Sequence, residues 1–201
     1  MFDKLLVKRV SMPAVSISEA NRYAGVKDRC AEPELMARAV KEVSDASQTS
    51  AVYQIVNVDI NGDSVSLGDI TTVSKGLAKN LQGAKYAVIF CATVGLAVDR
   101  IIGKYSVISP SLALLCDAVG AERIEALCDA FEQEIIVDLG ECYELCHRFS
   151  PGYGDLEISL QKEIFNLLKP ERYIGVTLNE SLMMSPSKSV SAIIGLREKE
   201  K

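Results

Sequence analysis

The chain has 201 residues, enough to bury a core without disulfide or metal staples, and its composition leads us to expect a single domain over 1–201. A net charge of −5, with 22 scattered lysines and arginines, leaves no basic stripe to neutralise nucleic acid phosphates. The opening residues MFDKLLVKRV lack the unbroken apolar run of a signal peptide, and the longest apolar run, Tyr86 to Val98, falls short of the ~20 residues of a membrane helix, so a soluble, cytoplasmic protein with no membrane partner is expected.

In chain order, SISEANRYAG reads as a short helix with Ser16 or Ser18 as cap and Gly25 as stop, and PELMARAVKEVSDAS as a second with Pro33 in its first turn. SAVYQIVNVDI is β-branched and aromatic enough for a strand, and NGD turns it into SVSLGDI, a hairpin over Ala51 to Ile70. VSKGLAKNLQG is a helix ended by Gly83. KYAVIFCATVG is continuously apolar, as in a strand buried on both faces. A helix follows from Gly95 to Gly103. Ser109 and Pro110 then open the longest helical tract, which the pattern carries to about Arg148 with Gly120 as a candidate break.

Ile124, Cys128, Phe131, Ile135, Leu139, Cys142 and Cys146 recur at steps of three and four, which puts them on one helical face and makes three of the six cysteines core residues. The last helix, LEISLQKEIFNLL, is assigned Asp155 as cap and Pro170 as stop, and YIGVTL and KSVSAIIGL read as two further strands. Helices and strands are mixed in one unit.

The densest polar chemistry sits in HRFSPGYGD, His147 to Asp155, which holds the only histidine. Ser150 precedes a proline, and Gly152 and Gly154 reach backbone angles closed to other residues, so the chain bends here and a ligand can approach its main chain. Arg148 carries a fork of donors that matches a carboxylate; a helix C-terminus is its other natural partner. Tyr153 is equally a packing residue.

RFSPGYGD, followed by LQKEIFNLLKPERYIGVTLNESLMMSPSKSVSAIIG, resembles the activation domain of cobalamin-dependent methionine synthase. That family carries an Arg-x-x-Pro-Gly-Tyr loop, a helix, an Ile-Gly-x-x-Leu-(Thr or Asn)-Glu-Ser strand and a Ser-Val-Ser strand in this order. The resemblance covers residues 86–195, while 1–85 form a divergent N-terminal part. It implies an α+β fold with a twisted, largely antiparallel sheet flanked by helices. It also implies S-adenosylmethionine (SAM) as bound cofactor, cobalamin carried by a partner protein, and flavodoxin or a ferredoxin-type carrier as electron donor. The implied role is reductive methylation of oxidised cobalamin, within methionine biosynthesis, by a component of a methyltransferase that is not a complete enzyme alone.

By motif, Arg148 would hold the SAM carboxylate, Ser150, Pro151, Gly152, Tyr153 and Gly154 would line the ligand, and Glu180 matches a family glutamate. Glu141 and Glu144 lie near an acidic position of the family at altered spacing. Thr93 and Gly95 mark a strand-to-helix turn, and no residue is given a catalytic role. The sequence departs from the family in SISEANRYAGVKDR, which has no counterpart of an N-terminal acidic ligand, and it ends six residues after Gly195, short of the long enzymes' C-terminal extension. It also lacks the Asp-x-His-x-x-Gly loop that ligates cobalt, so a freestanding activation subunit is expected, docking on a methionine synthase or another corrinoid protein. Two rivals are a corrinoid-docking scaffold of the same fold that no longer binds SAM, and a metal site at Cys142, Cys146 and His147; burial of both cysteines on the apolar stripe argues against the second.

Overall fold

The computed structural model describes residues 4–26, 32–140 and 142–199. The chain enters through β1 (Leu6–Lys8), α1 (Ile17–Tyr23) and α2 (Pro33–Ala46). The hairpin of β2 (Ser50–Asn61) and β3 (Ser64–Leu67) closes where Asn61 pairs with Ser64, around Gly62 at φ 61°. A third strand, β4 (Ile70–Val73), extends it through a second turn at Gly68. After α3 (Lys75–Asn80), β5 (Tyr86–Thr93) takes the middle of the sheet, flanked by β2 and by β9 (Ser189–Glu198). The edge strand β6 (Tyr143–Leu145) pairs with β9, and the order is β4-β3-β2-β5-β9-β6 with β1 beside β2. Every pairing in this sheet is antiparallel, so the α+β expectation holds.

β5 is buried on both faces because each face has its own core. Val88, Phe90 and Ala92 turn toward α4 (Leu96–Ile108) and α5 (Pro110–Leu139), while Ala87, Ile89 and Cys91 turn toward α3 and α6 (Leu160–Leu168). On the first face Phe131 packs between Phe90 and Tyr53, with ring centroids 4.9 and 5.3 Å apart.

Several sequence expectations fail, each for a local reason. Helix α5 runs through Gly120 without a break; a Cβ there would stand 3.2 Å from Lys188 Cε and 3.3 Å from Val98 Cγ1. The same helix stops at Leu139 rather than near Arg148, because Gly140 takes φ 72°, which ends the ladder. Cys142 is therefore off the apolar stripe and exposed, and Cys146 is buried instead beneath β9, beside Gly195. Asp155 does not cap α6, which begins five residues later. Helix α6 does end at Leu168, just before Pro170 as expected, and Pro170 then opens a short separate helix, α7 (Pro170–Tyr173). Gly175 at φ 69° breaks YIGVTL, so that only β7 (Thr177–Leu178) is strand, paired with β8 (Met184–Ser185).

Candidate functional site at the Arg148 bend

Phe149 forms a lone bridge to Ile193, with both N–H···O bonds at 2.9 Å, which fixes the backbone of the bend to β9. Alternation along this extended stretch turns Phe149 into the α6-side core and sends Arg148 to the opposite face, against α5. There Nη1 donates to Asp129 at 3.0 Å and to Glu132 at 2.7 Å, and Nη2 donates to Glu125 at 2.9 Å. Spacings of four and three place the three carboxylates on one α5 face. The bonds use three of the guanidinium's five N–H groups.

The cluster is only partly wet. The Arg148 side chain is 22% exposed and Glu132 21%, whereas Asp129 is 72% exposed. Burial pushes the Glu132 carboxyl above its ordinary range and Arg148 only partly offsets this. Below them Cys128 is a buried thiol pushed up to about 12, so it is neutral and takes no part in the charge balance.

Two cavities adjoin at Asp129 and Gln133. One, about 790 Å³, lies between α5 and the segment before and within α1, with Met12, Pro13, Ser16, Glu19, Glu122 and Glu125 on its walls. The other, about 640 Å³, lies between α5 and β6 and includes Glu132, Glu144, His147 and Arg148. Both are in the range of small-molecule sites. The outer wall of the first is strapped down by a buried pair. Arg123 bonds Glu122 and donates to the carbonyls of Pro13 at 2.7 Å and Ala14 at 3.2 Å, while Glu122 accepts the Ser16 N–H at 2.9 Å.

The bend itself is tightly wound. Gly152 at φ 86° donates to Leu156 O at 2.8 Å, Tyr153 donates to Ser150 O at 3.1 Å and Leu156 to Tyr153 O at 3.1 Å. The Gly152 and Tyr153 amides thus bond within the bend rather than facing outward. A Cβ on Gly152 would stand 2.8 Å from Ile158 Cδ1, so the tight approach there is to the protein's own side chain. Ser150 is half-buried, Pro151 is buried and Gly154 takes φ 58°. Tyr153 is 69% exposed, its ring edge-on to Phe149 at 5.5 Å.

Of the remaining candidates, Glu144, Cys146 and His147 share the second cavity with Arg148, while Glu180 and Thr93 lie apart. Glu180 is exposed in the turn between β7 and β8 and lines neither cavity beside Arg148. Glu144 is on β6 opposite Arg197, and Glu141 lies outside the described residues. Thr93 is buried: its Oγ accepts from Gly95 N–H and Ser189 Oγ, a role in joining strand to helix. Cys142 and Cys146 flank β6 rather than standing one helical turn apart, which removes the premise of the metal reading. Among the described residues no group of three or more His, Cys, Asp or Glu is placed to hold a metal ion, and no helix is long and apolar enough to cross a membrane.

Sequence reasoning missed Glu125, Asp129 and Glu132 as partners of Arg148. Their spacing of four and three along α5 was the signal available.

The family described as vitamin B12 dependent methionine synthase, activation domain, matches residues 77–201. Among solved structures, the crystal structure of the MetH reactivation domain bound to AdoHcy aligns with a TM-score of 0.63 at 16% identity, covering 98% of this chain and 80% of that one. At that identity the likeness is one of fold. No curated protein matches the chain.

Proposed function

The chain belongs to the family of vitamin B12-dependent methionine synthase activation domains, and from that premise we propose that it is an activation subunit that binds SAM at the Arg148 bend and presents it to cobalamin held by a separate protein. The observation that carries this reading is the charge balance at the bend. Three carboxylates around one guanidinium leave a formal charge of −2 between two adjoining cavities. SAM is an amino acid whose sulfonium makes it a net cation, with one carboxylate and two positive centres. Arg148 keeps N–H groups for the carboxylate, and the acidic residues complement the ammonium and the sulfonium.

The ligand also has to displace little. Asp129 is largely exposed, so its ion pair with Arg148 contributes on the order of 1 kcal/mol or less and yields easily. The family relative bound to AdoHcy supports a nucleoside amino acid as the ligand class. By the family motif Tyr153 and Gly154 would meet the ligand, although neither lines a cavity beside Arg148, and the groove along α5 would take the adenosyl part.

SAM, when bound, supplies a sulfonium methyl group, and the neutral thioether released when that C–S bond breaks needs no general acid. The chain's own residues therefore bind and orient: Arg148 fixes the amino acid end, and the Ser150–Gly154 bend fixes how the methyl carbon faces outward. We read residues 1–201 as one unit, acting on a methionine synthase or a related corrinoid protein with a flavodoxin or ferredoxin-type donor, in the cytoplasm. Glu180, which lines neither cavity, carries no ligand contact in this reading.

A second reading is favoured by one observation: the guanidinium already has three carboxylate partners, as it would in a scaffold that docks a corrinoid protein and binds no SAM. Calorimetric titration of the chain with SAM separates the two. One saturable site is expected, with a rise in Tm at excess ligand; no heat and no shift would leave the scaffold.

A further inference from the structure

Asp155 lies one residue beyond Gly154, yet its carboxylate is spent at the start of α3. It accepts the Ser74 hydroxyl at 2.6 Å and the Lys75 N–H at 2.8 Å, and the Gly76 N–H reaches its two oxygens at 3.1 and 3.3 Å. Ser74 Oγ in turn accepts the Leu77 N–H at 3.0 Å. The first amides of α3 are thus divided between its own capping serine and a side chain from a bend some eighty positions later.

The α3 side is built for this contact. A Cβ at Gly76 would stand 2.8 Å from Asp155 Oδ1 and 3.1 Å from Phe149 Cζ, so only glycine lets the two segments close. The bend therefore has two anchors of different kinds. At its entrance Phe149 is bridged to β9 and its ring supports Tyr153; at its exit Asp155 is tied to α3. Between them lies Ser150–Gly154, whose shape is otherwise held by three short-range N–H···O bonds and two glycines at positive φ.

We propose that Asp155 is the positioning residue of the site: by tying the end of the bend to the N-terminus of α3, it holds Ser150–Gly154, and Tyr153 with it, in the binding shape before any ligand arrives. This deepens the reading of the bend as a SAM site and rests on it. A bend ordered in advance removes the cost of ordering it on binding, so the anchor acts on affinity without touching the ligand. The Ser74 hydroxyl, with the amides of Gly76 and Lys75, keeps the Asp155 carboxyl below its ordinary range, as expected of a carboxylate whose ionised form is the one bonded.

The test uses the full chain and Asp155→Asn, which keeps the shape but loses the charge and one acceptor oxygen. Amide hydrogen exchange is followed at Gly152 and Leu156 in the bend and at Val88 and Phe90 in β5, alongside titration with SAM. The bend amides are expected to exchange about tenfold faster and the SAM Kd to rise about tenfold, the scale of lost charged hydrogen bonds, with β5 unchanged. Gly76→Ala, which wedges the same contact from the other side, should reproduce both effects. Unchanged bend exchange, a loosened bend with unchanged Kd, or β5 amides accelerating as much as the bend would each overturn the proposal. If the parent chain takes up no SAM, the binding reading fails, and the role in affinity with it; the exchange arm still decides whether Asp155 orders the bend.

Discussion

Replacing Arg148 with alanine should weaken SAM binding by about a hundredfold or more, because charged hydrogen bonds contribute roughly 1.5 to 3 kcal/mol each and a carboxylate takes two of them from a guanidinium fork. Stability should fall as well, by about 1 to 3 kcal/mol, since Glu132 is mostly buried and would be left facing Glu125 and Asp129 with no cation. The two effects part in Arg148→Lys. A lysine restores charge but not the planar fork, so it should recover more of the stability than of the binding. Urea unfolding reads the first and calorimetry the second. A substitution that lowers stability yet leaves SAM affinity intact would make Arg148 a brace for α5 and nothing more.

The second large effect is expected at a residue no motif singles out. Arg123 and Glu122 are each 5% exposed as side chains, bonded to one another and to the backbone of Pro13, Ala14 and Ser16. Arg123→Ala removes one partner and strands the other, so a loss of about 3 to 5 kcal/mol is expected, a large share of the 5 to 15 kcal/mol that holds a typical domain together. Replacing both, as Glu122→Leu with Arg123→Met, should be milder than Arg123→Ala because no buried charge is orphaned. The segment over 11–16 forms one wall of the larger cavity, so its amides should exchange faster in Arg123→Ala than those of β9. If urea unfolding of Arg123→Ala matched the parent within 1 kcal/mol, roughly the scale of surface pairs, the pair would not be the strap described above.

Where the sequence was legible, the signal was local. Ser16 and Pro33 begin helices as their chemistry suggests, Asn61 to Ser64 turn a hairpin, and the unbroken apolar run of β5 is buried on both faces. The bend was legible too, because a proline and two glycines act on their immediate neighbours. What failed was long-range or degenerate. Cys142 and Cys146 continue the steps of three and four beyond Leu139, but four residues is also two strand periods, and Gly140 decides in favour of strand. Asp155 has the chemistry of a cap; its partner, however, is α3, and nothing near Asp155 in the chain names that helix. The acids facing Arg148 were visible as a row along α5, but only the bridge of Phe149 to Ile193 turns the arginine toward them.

The claim that the chain delivers a methyl group to another protein's cobalamin is tested most directly by optical spectroscopy. The cobalamin-binding module of a methionine synthase, carrying cob(II)alamin and lacking its own activation domain, is mixed with reduced flavodoxin, SAM and the full chain. The account predicts methylcobalamin formation that depends on the chain and is lost with Arg148→Ala. Formation at the same rate with and without the chain, at SAM concentrations that saturate it, would contradict the account.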